Sequence, residues 1–545
     1  MTLFEQILTA RGLTTRAARQ AFLQPDYMAV KHDPFLLPDM KKAVARLKQA
    51  REQGEKIVIY GDYDIDGLSA TALLLDAFGK FGFEGVEAFI PNRFVEGYGM
   101  TMGAVDKVHD MGADLIVTVD TGSLCHAEIA YAASLGIDTV VTDHHNVAET
   151  PPPSVAAVNP KFPGHSYPFR DLCGAGVAFK LVQALQTELD GLSDGYEKWL
   201  LDLVALGTVC DIVTLADENR ANVYWGLEVL KKQQRPGLKA LMAVAGIEPE
   251  QVNARHLGFG LGPRMNAAGR LETAQHALDM LVAHDGLAAL EASEKLEELN
   301  VKRRDIQDAI FEEACVQAEK LANDRVLVVS SDGWNHGVIG IVASKLVEKY
   351  KKPVFIIGER GEEATGSARS FGDFSAADAV RAADDIIIKG GGHGAAAGVT
   401  LATGKIGDFR RRVNEFYDSL QLTNQERYLL PRADVEIDDF SEIDEELVAN
   451  LAKMEPFGNG NPEPVLKITR ASVLSMRRMG ADGQHVKLAL RDKNGKVLQM
   501  LAFNAPEEFF REPGDEVVAW FQPTVNEWQG VRTVEGRLLH IILLD

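Results

Sequence analysis

The chain has 545 residues, 46% hydrophobic and 25% charged, which suits a globular protein of three or four domains at about 150 residues each and excludes a disordered chain, a fibrous repeat or a disulfide scaffold. Its four cysteines, Cys125, Cys173, Cys210 and Cys315, form no CxxC pair, which argues against a thiolate metal site and for a reducing compartment. The net charge of −22, from 57 basic and 79 acidic residues, excludes coating of nucleic acid by bulk charge, so a nucleic-acid partner needs a local basic groove or a metal site.

The N-terminal residues carry scattered charges and no apolar signal core, and no stretch reaches the length of a membrane span. A cytoplasmic protein without membrane contact is expected. Residues 1–39 are mixed in character and read as an N-terminal extension. From Met40 a helical stretch leads into short apolar runs that read as strands: 57–60, 86–90, 115–119, 138–142 and 155–158. Helical segments at 68–81, 101–111 and 123–135 separate them. This alternation predicts a parallel sheet in an α/β domain, here 40–274, and continuous apolar runs fit strands buried on both faces. Residues 275–324 read as a connector helix of about 40 Å or more at 1.5 Å per residue. A second α/β domain is expected over 325–425. Alternating apolar patterns over 430–545 predict a small closed β-barrel of OB type.

The strongest chemical signal lies where the apolar runs stop. Asp62, Asp64 and Asp66 follow the first strand, Asp120 follows the third, Asp143-His144-His145 follows the fourth, and Asp211 follows the run LVALGTV. These are read as the ends of successive strands, where parallel α/β sheets bind ligands. A single aspartate there is most often a helix cap. Capping does not account for three carboxylates within five residues. Carboxylates converging in one crevice need cations, and oxygen ligands with imidazole suit Mg²⁺ or Mn²⁺. So many ligands exceed the needs of one octahedral ion and fit two ions sharing a carboxylate. The inferred reaction is hydrolysis of a phosphate ester or anhydride.

These motifs resemble those of the DHH phosphoesterase superfamily. Gly366-Ser367-Ala368-Arg369-Ser370 and the run from Gly390 to Gly398 look like the marks of the associated DHHA1 domain. The run from Gly262 to Arg270, the connector helix and the barrel with Pro456-Phe457-Gly458-Asn459-Gly460-Asn461-Pro462 narrow the resemblance to the bacterial single-strand-specific 5′→3′ DNA exonucleases of that superfamily. It implies two α/β domains joined by a long helix, plus an OB-like barrel. It implies Asp62, Asp64, Asp66, Asp120, His144 and Asp211 as ligands of two Mn²⁺ or Mg²⁺ ions, Asp120 bridging them. Asp143 is implied as the orienting partner of His144, and His145 as a hydrogen-bond donor to the scissile phosphate. Ile65 and Cys210 stand where smaller residues are common in the family, and neither removes a ligand.

For the substrate, the resemblance assigns the second domain to the DNA 5′ end. Ser367, Arg369, Gly391, Gly392 and His393 are the candidates there, with Arg93, Arg264 and Asn266 from the first domain. The glycines, read alone, fit equally a tight turn before a helix or backbone N–H groups open to a phosphate. In the barrel, Trp520, Phe521 and Trp528 are stacking candidates, of which at least two are expected in the core. Arg477 and Arg478 fit a phosphate contact or a solvated turn, and Arg410-Arg411-Arg412 a helix face. The implied partners are single-stranded DNA, single-strand-binding protein and a RecQ-type helicase, in recombination and repair. The alternative is a DHH phosphoesterase of short oligonucleotides or small phosphate compounds, against which the barrel and connector argue. A catalytically dead scaffold is a third reading, and it conflicts with a complete ligand set.

Overall fold

The first sheet forms because five short apolar runs are separated by amphipathic helices long enough to cross over it. In the computed structural model, which describes residues 1–97 and 99–544, these are β1 (Ile57–Gly61), β2 (Val86–Phe89), β3 (Leu115–Val119), β4 (Asp138–Thr142) and β5 (Ala156–Val158). Their order is β2-β1-β3-β4-β5, all parallel. Alternate residues feed different cores. Ile57, Ile59, Val117 and Val119 pack against the Ile65–Phe81 helix and a thick helical layer beyond it. Val58, Tyr60, Ile116 and Val141 pack against Ala104, Val105, Val108 and Ile129 on the other face.

The run before Asp211 is not a strand but the helix Leu201–Cys210. Every residue from Leu201 to Thr208 is buried, Asp202 included. A helix enclosed on all sides needs no polar face, so its sequence lacks the 3.6-residue period and reads like a buried strand.

The second sheet comprises β6 (Leu327–Asp332), β7 (Val354–Arg360), β8 (Glu363–Arg369), β9 (Ile387–His393) and β10 (Ala396–Ala402), in the order β6-β7-β8-β10-β9. Only β6 and β7 are parallel. The glycine-rich stretch is therefore a β-hairpin whose first strand is the exposed sheet edge, not a turn leading into a helix.

Between the sheets the expected single connector divides in two. Gln275–Val282 belongs to the first core through Ala277, Leu278, Met280 and Leu281. A new helix, Gly286–Lys320, starts where Asp285 accepts hydrogen bonds from the Leu287 and Ala288 N–H groups. Its 35 residues span about 50 Å. Leu296 and Leu299 anchor it in the first core, and Ile310, Ala314 and Ala318 in the second.

The C-terminal block contains β11 (Val435–Ile437), β12 (Leu466–Met479), β13 (His485–Arg491), β14 (Val497–Ala502), β15 (Glu516–Trp528) and β16 (Val531–Leu543). Pairing of β12 with both β13 and β15 closes a five-stranded barrel, β12-β13-β14-β16-β15. Closure removes the open edges that would otherwise invite aggregation.

Residues 1–39, expected as an extension, are built into the fold. Thr2 and Glu5 form a capping box for the helix Leu3–Ala10. Leu3, Ile7 and Leu8 complete the barrel core, and Arg11 pairs with Asp434 at 2.7 Å. The buried Arg220 of the first domain then donates to the carbonyls of Phe22, Met454 and Glu455, at 2.8–3.0 Å. The barrel is thus fastened to the first domain through main-chain groups. Ile7→Ala is expected to cost about 2–5 kcal/mol, the usual range for an emptied aliphatic core site. Calorimetry of the full chain should show the barrel transition at lower temperature. An unmoved transition would mean that the N-terminal helix is not part of that core.

Candidate metal centre

The carboxyl ends of β1, β3 and β4 open onto one crevice. Asp64 ends the turn after β1 and caps the next helix, its Oδ1 accepting from Asp66 N and Gly67 N at 2.9 and 3.1 Å. Capping here holds the ligand candidate in place. Asp66 lies in the first helical turn, and both its oxygens are held by main-chain donors. Gly174 N reaches Oδ2 at 2.5 Å and Ala175 N reaches Oδ1 at 2.8 Å. Those donors are the N-terminus of the helix Gly174–Gln186, where unpaired N–H groups favour an anion. Asp120 leaves β3 with φ of 61°, an uncommon conformation for a residue with a side chain. Asp211 follows the last residue of its helix, its N–H bonded to Gly207 O at 2.9 Å.

The result is one cluster of three groups whose ligand atoms lie within 4.8 Å of one another: Asp62, Asp64 and Asp120; Asp66, His144 and Asp211; and Asp120, His144 and His145, which links the other two. His144 Nε2 lies 3.1 Å from Asp120 Oδ1, 3.5 Å from Asp211 and 3.9 Å from Asp66. All six residues read as ligands from the sequence are therefore brought together, with Asp120 placed between the first two groups.

The electrostatics of the bare chain describe a site that needs cations. Burial, then the charge of Asp64, raises Asp62 to about 7 and Asp66 to about 6. Burial with Asp66 and Asp64 raises Asp211 to about 8. Asp120 is raised well above the ordinary carboxylate range by burial and four neighbouring aspartates. Among the described residues, Asp62 Oδ1, Asp120 Oδ1 and His144 Nε2 are buried without a hydrogen-bond partner. Unsatisfied buried acceptors are rare and call for an explanation. Two divalent ions fit this oxygen-rich donor set. Burial and the charge of His145 push His144 down to about 3, leaving the neutral imidazole that a metal requires.

Asp143 serves a different partner from the one expected. Its Oδ1 accepts from His145 Nδ1 at 2.9 Å, and it meets His144 only through that residue's backbone N–H. Ser123 N completes its shell at 2.9 Å. The ring of His144 is instead steadied by the Leu172 backbone. Burial opposes protonation of His145, but the Asp143 hydrogen bond and charge prevail and raise it to about 9. In the metal-free chain the protonated form of His145 is therefore favoured, with Nδ1 3.7 Å from Asp120. Asn159 holds this loop by donating to Ser123 Oγ and His145 O.

Beside the acidic cluster stands a basic one that the sequence reading found only in part. Arg93 lies over the Tyr63 ring at 4.4 Å and lowers Asp62. Arg270 is partly buried, and desolvation together with Arg93, Arg303 and Arg369 pushes it down to about 10. Its Nη1 donates to Gly337 O at 2.8 Å. Arg369 donates to Ser367 Oγ at 3.2 Å, and Arg303 is held by Asn300 and Gln307. Among the described residues no carboxylate pairs with any of these four arginines. A side chain at Gly340, in the first turn of the helix Ile339–Tyr350, would lie 3.0 Å from Ser367 Oγ and 3.2 Å from Arg369 Nη2. Mutually repelling guanidinium groups beside a helix N-terminus are the chemistry of an anion site. Arg270 and Arg303 escaped the sequence reading because their significance is a distance to other arginines.

The remaining candidates scatter. Ser367, Gly398 and Gly391 lie in one row across β8, β10 and β9, and Arg369, Ala396 and His393 in the next equivalent row. Gly391 and Gly398 have open space above them, whereas at Gly392 a side chain would meet the Ala396 carbonyl. Asn266 lines a groove of about 730 Å³ with Ile65, Cys210 and Phe457 at the seam with the barrel. Arg264 does not stand open to a phosphate. Glu297 of the long helix pairs with it at 2.5 Å, and its Nη1 donates to Gly260 O. In the barrel, Trp520 and Phe521 are buried while Trp528 is 72% exposed. Arg478 pairs with Glu507 and lies over Phe510, and Arg410, Arg411 and Arg412 each pair with an aspartate.

Comparison with known proteins agrees with this division. Residues 56–208 match the DHH family N-terminal domain, 323–419 the DHHA1 domain and 433–540 the RecJ OB domain. The chain is 38% identical over 533 residues to the single-stranded-DNA-specific exonuclease RecJ of Bacillus subtilis, covering 96% of this chain and 66% of that protein. It is 35% identical to RecJ of Dickeya dadantii, covering 93% of this chain and 91% of that one. The crystal structure of Thermus thermophilus RecJ in complex with Mn²⁺ superposes with a TM-score of 0.82 at 30% identity, over 99% of this chain and 76% of that one. The Mg²⁺ complex of the same protein gives 0.74 at 27% identity, over 98% of this chain and 74% of that one.

Carboxylates raised to about 6–8 destabilise the metal-free fold progressively as pH rises above the ordinary carboxylate range, because ionisation in the folded state is opposed. Cations reverse that cost and compete with fewer protons at high pH. Mn²⁺ should therefore raise the melting temperature more at pH 8.5 than at pH 6 in a calorimetric titration. An equal or smaller rise at pH 8.5 would contradict the cluster's electrostatics.

Proposed function

The chain belongs to the RecJ family of single-stranded-DNA-specific exonucleases, and on that footing we propose that it hydrolyses single-stranded DNA from the 5′ end, releasing mononucleotides. The observation that carries the reading is the placing of two groups of candidate cation ligands, linked through Asp120 and His144, beside an arginine group that has no carboxylate partner among the described residues.

Asp62, Asp64 and Asp120 would hold one ion, and Asp66, His144 and Asp211, with Asp120 shared, the other. Mn²⁺ or Mg²⁺ supplies an activated water and charge stabilisation on the phosphoryl group. The chain's own residues do the rest. His145, oriented through Nδ1 by Asp143, brings a positive charge to the phosphate as negative charge develops there. Arg93, Arg270 and Arg369 with Ser367 hold the terminal 5′ phosphate. A terminal phosphate carries more charge than an internal diester, so this group selects ends. Tyr63, which lies under Arg93, is part of the acidic motif itself, so an anchored end has its first linkages at the cations. That arrangement favours an exonuclease over an endonuclease.

The glycine and alanine surface of β9 and β10 offers a smooth floor for a single sugar-phosphate strand, with His393 at its rim. We assign catalysis to residues 40–274, the connector to 275–324, end recognition to 325–425 and strand tracking to 430–545. The same reading places the enzyme in the cytoplasm, in recombination and repair, with single-strand-binding protein and a RecQ-type helicase as partners. The match to a RecJ-type barrel favours it over a phosphoesterase of short oligonucleotides.

Digestion of end-labelled single-stranded and duplex DNA tests the proposal. A 5′ label should appear first as mononucleotide, duplex should persist, and chelator should stop the reaction. Release from a 3′ label first would refute the polarity. Asp120→Ala should reduce turnover to background with an intact fold by circular dichroism. Arg270→Ala and Arg369→Ala should each reduce the preference for a 5′-phosphorylated over a 5′-hydroxyl end by about tenfold or more, the worth of one hydrogen bond to a charged group. Unchanged discrimination in both would place end recognition elsewhere.

A further inference from the structure

We propose that Gly174 and Gly207 are positioning residues of the metal centre, each keeping empty the space into which one ligand carboxylate fits; the inference rests on the metal-dependent reaction proposed above. Both glycines lie in helices, at negative φ, so conformation does not require them. Glycine inside a helix is disfavoured relative to alanine, and Gly207 sits in the buried stretch Leu201–Thr208 of its helix. Space is what they supply. A Cβ on Gly174 would lie 2.5 Å from Asp120 Cβ and 2.7 Å from its Cγ and Oδ1. A Cβ on Gly207 would lie 2.4 Å from Asp66 Oδ1 and 2.9 Å from Ala175 Cβ.

Neither carboxylate has an easy way to yield. Asp66 is held at both oxygens by the Gly174 and Ala175 N–H groups. Asp120 meets the clash at its Cβ, beside a backbone fixed by a 3.0 Å hydrogen bond from its N–H to Thr142 O. By contrast, a Cβ on Gly176, two residues along the same helix, meets only ordinary contacts of 3.5 Å or more. The requirement is thus local to the carboxylates and not to the helix. It also differs between the two carboxylates. Asp66 stands with His144 and Asp211, while Asp120 stands with Asp62 and Asp64 and also reaches His144, at 3.1 Å.

The test is Mn²⁺ binding to the full chain, measured by isothermal titration calorimetry and by the electron paramagnetic resonance of free Mn²⁺. The wild-type chain should bind two ions. Gly207→Ala should weaken one binding step by about tenfold or more, the scale for losing a group that orients a metal ligand. Gly174→Ala should weaken both, and Gly176→Ala neither. Near-UV circular dichroism of the metal-free variants reports whether each is folded. If Gly174→Ala is not folded, adding Asp120→Gly, which removes the side chain that the methyl group meets, should restore the near-UV signal, and a chain that stays unfolded would overturn the inference. For Gly207 a double-mutant cycle decides: Gly207→Ala added to Asp66→Ala should cause no further loss, since the methyl group acts through Asp66. Additive losses would overturn the inference, as would wild-type binding of two ions by both glycine variants. A wild-type chain that binds no Mn²⁺ would overturn the metal reading, and this inference with it.

Discussion

Like charges within a few ångströms of one another in a buried cleft govern this molecule. Five aspartates meet where water is mostly excluded, and burial and mutual repulsion both oppose their ionisation. The fold tolerates this by fixing Asp64 and Asp66, and the neighbouring Asp143, while Asp62 Oδ1 and Asp120 Oδ1 are left without a hydrogen-bond partner. The holding groups are largely main chain. Asp64 takes two N–H groups from the helix it caps, Asp66 two from the next helix start, and Asp143 two from its own loop and one from Ser123. Main-chain donors cannot swing away, so the cluster keeps its geometry while its charge awaits cations.

The surrounding architecture serves the same constraint. The parallel sheet delivers its motifs to one edge because all five strands run the same way, and each crossover helix starts at that edge. The Gly174–Gln186 helix belongs to a later layer, yet its first turn is packed against Asp66, joining the sheet to the helical half of the domain. The long helix then fixes the second domain at a set distance. Leu296 and Leu299 at one end and Ile310, Ala314 and Ala318 further along are buried in different cores, so the arginines of the two domains face one another without a flexible hinge between them. The net charge of −22 makes this local basic group the more important, since a polyanionic substrate is repelled by the molecule as a whole.

Much of this was legible in the chain itself. Strand and helix alternation, the carboxylate and imidazole residues at strand ends, the connector and the closed barrel follow from periodicity and from chemistry that has no common structural use. The failures have separate causes, and in the first burial erases pattern. The helix before Asp211 is apolar all round and looked like a strand. The N-terminal residues contribute Leu3, Ile7 and Leu8, with Phe4, Leu13, Phe22 and Leu23 packed beside them, to a core some 430 residues distant in sequence, too short a set to mark a domain. The division at Ala283–Asp285 lies inside a pattern that stays helical on both sides.

Residue identity determined which groups could bind cations and that there were too many of them for one ion, because carboxylates clustered within five residues have no other economical explanation. Tertiary structure decided which groups meet. It turned Asp143 to His145 rather than His144, matched Arg264 with Glu297, and gathered Arg93, Arg270, Arg303 and Arg369 from separate segments. Those outcomes depend on distances across the fold, which fall off as chain segments pack and not as residues follow one another. A linear sequence states a charge, and only the packed molecule states what stands opposite it.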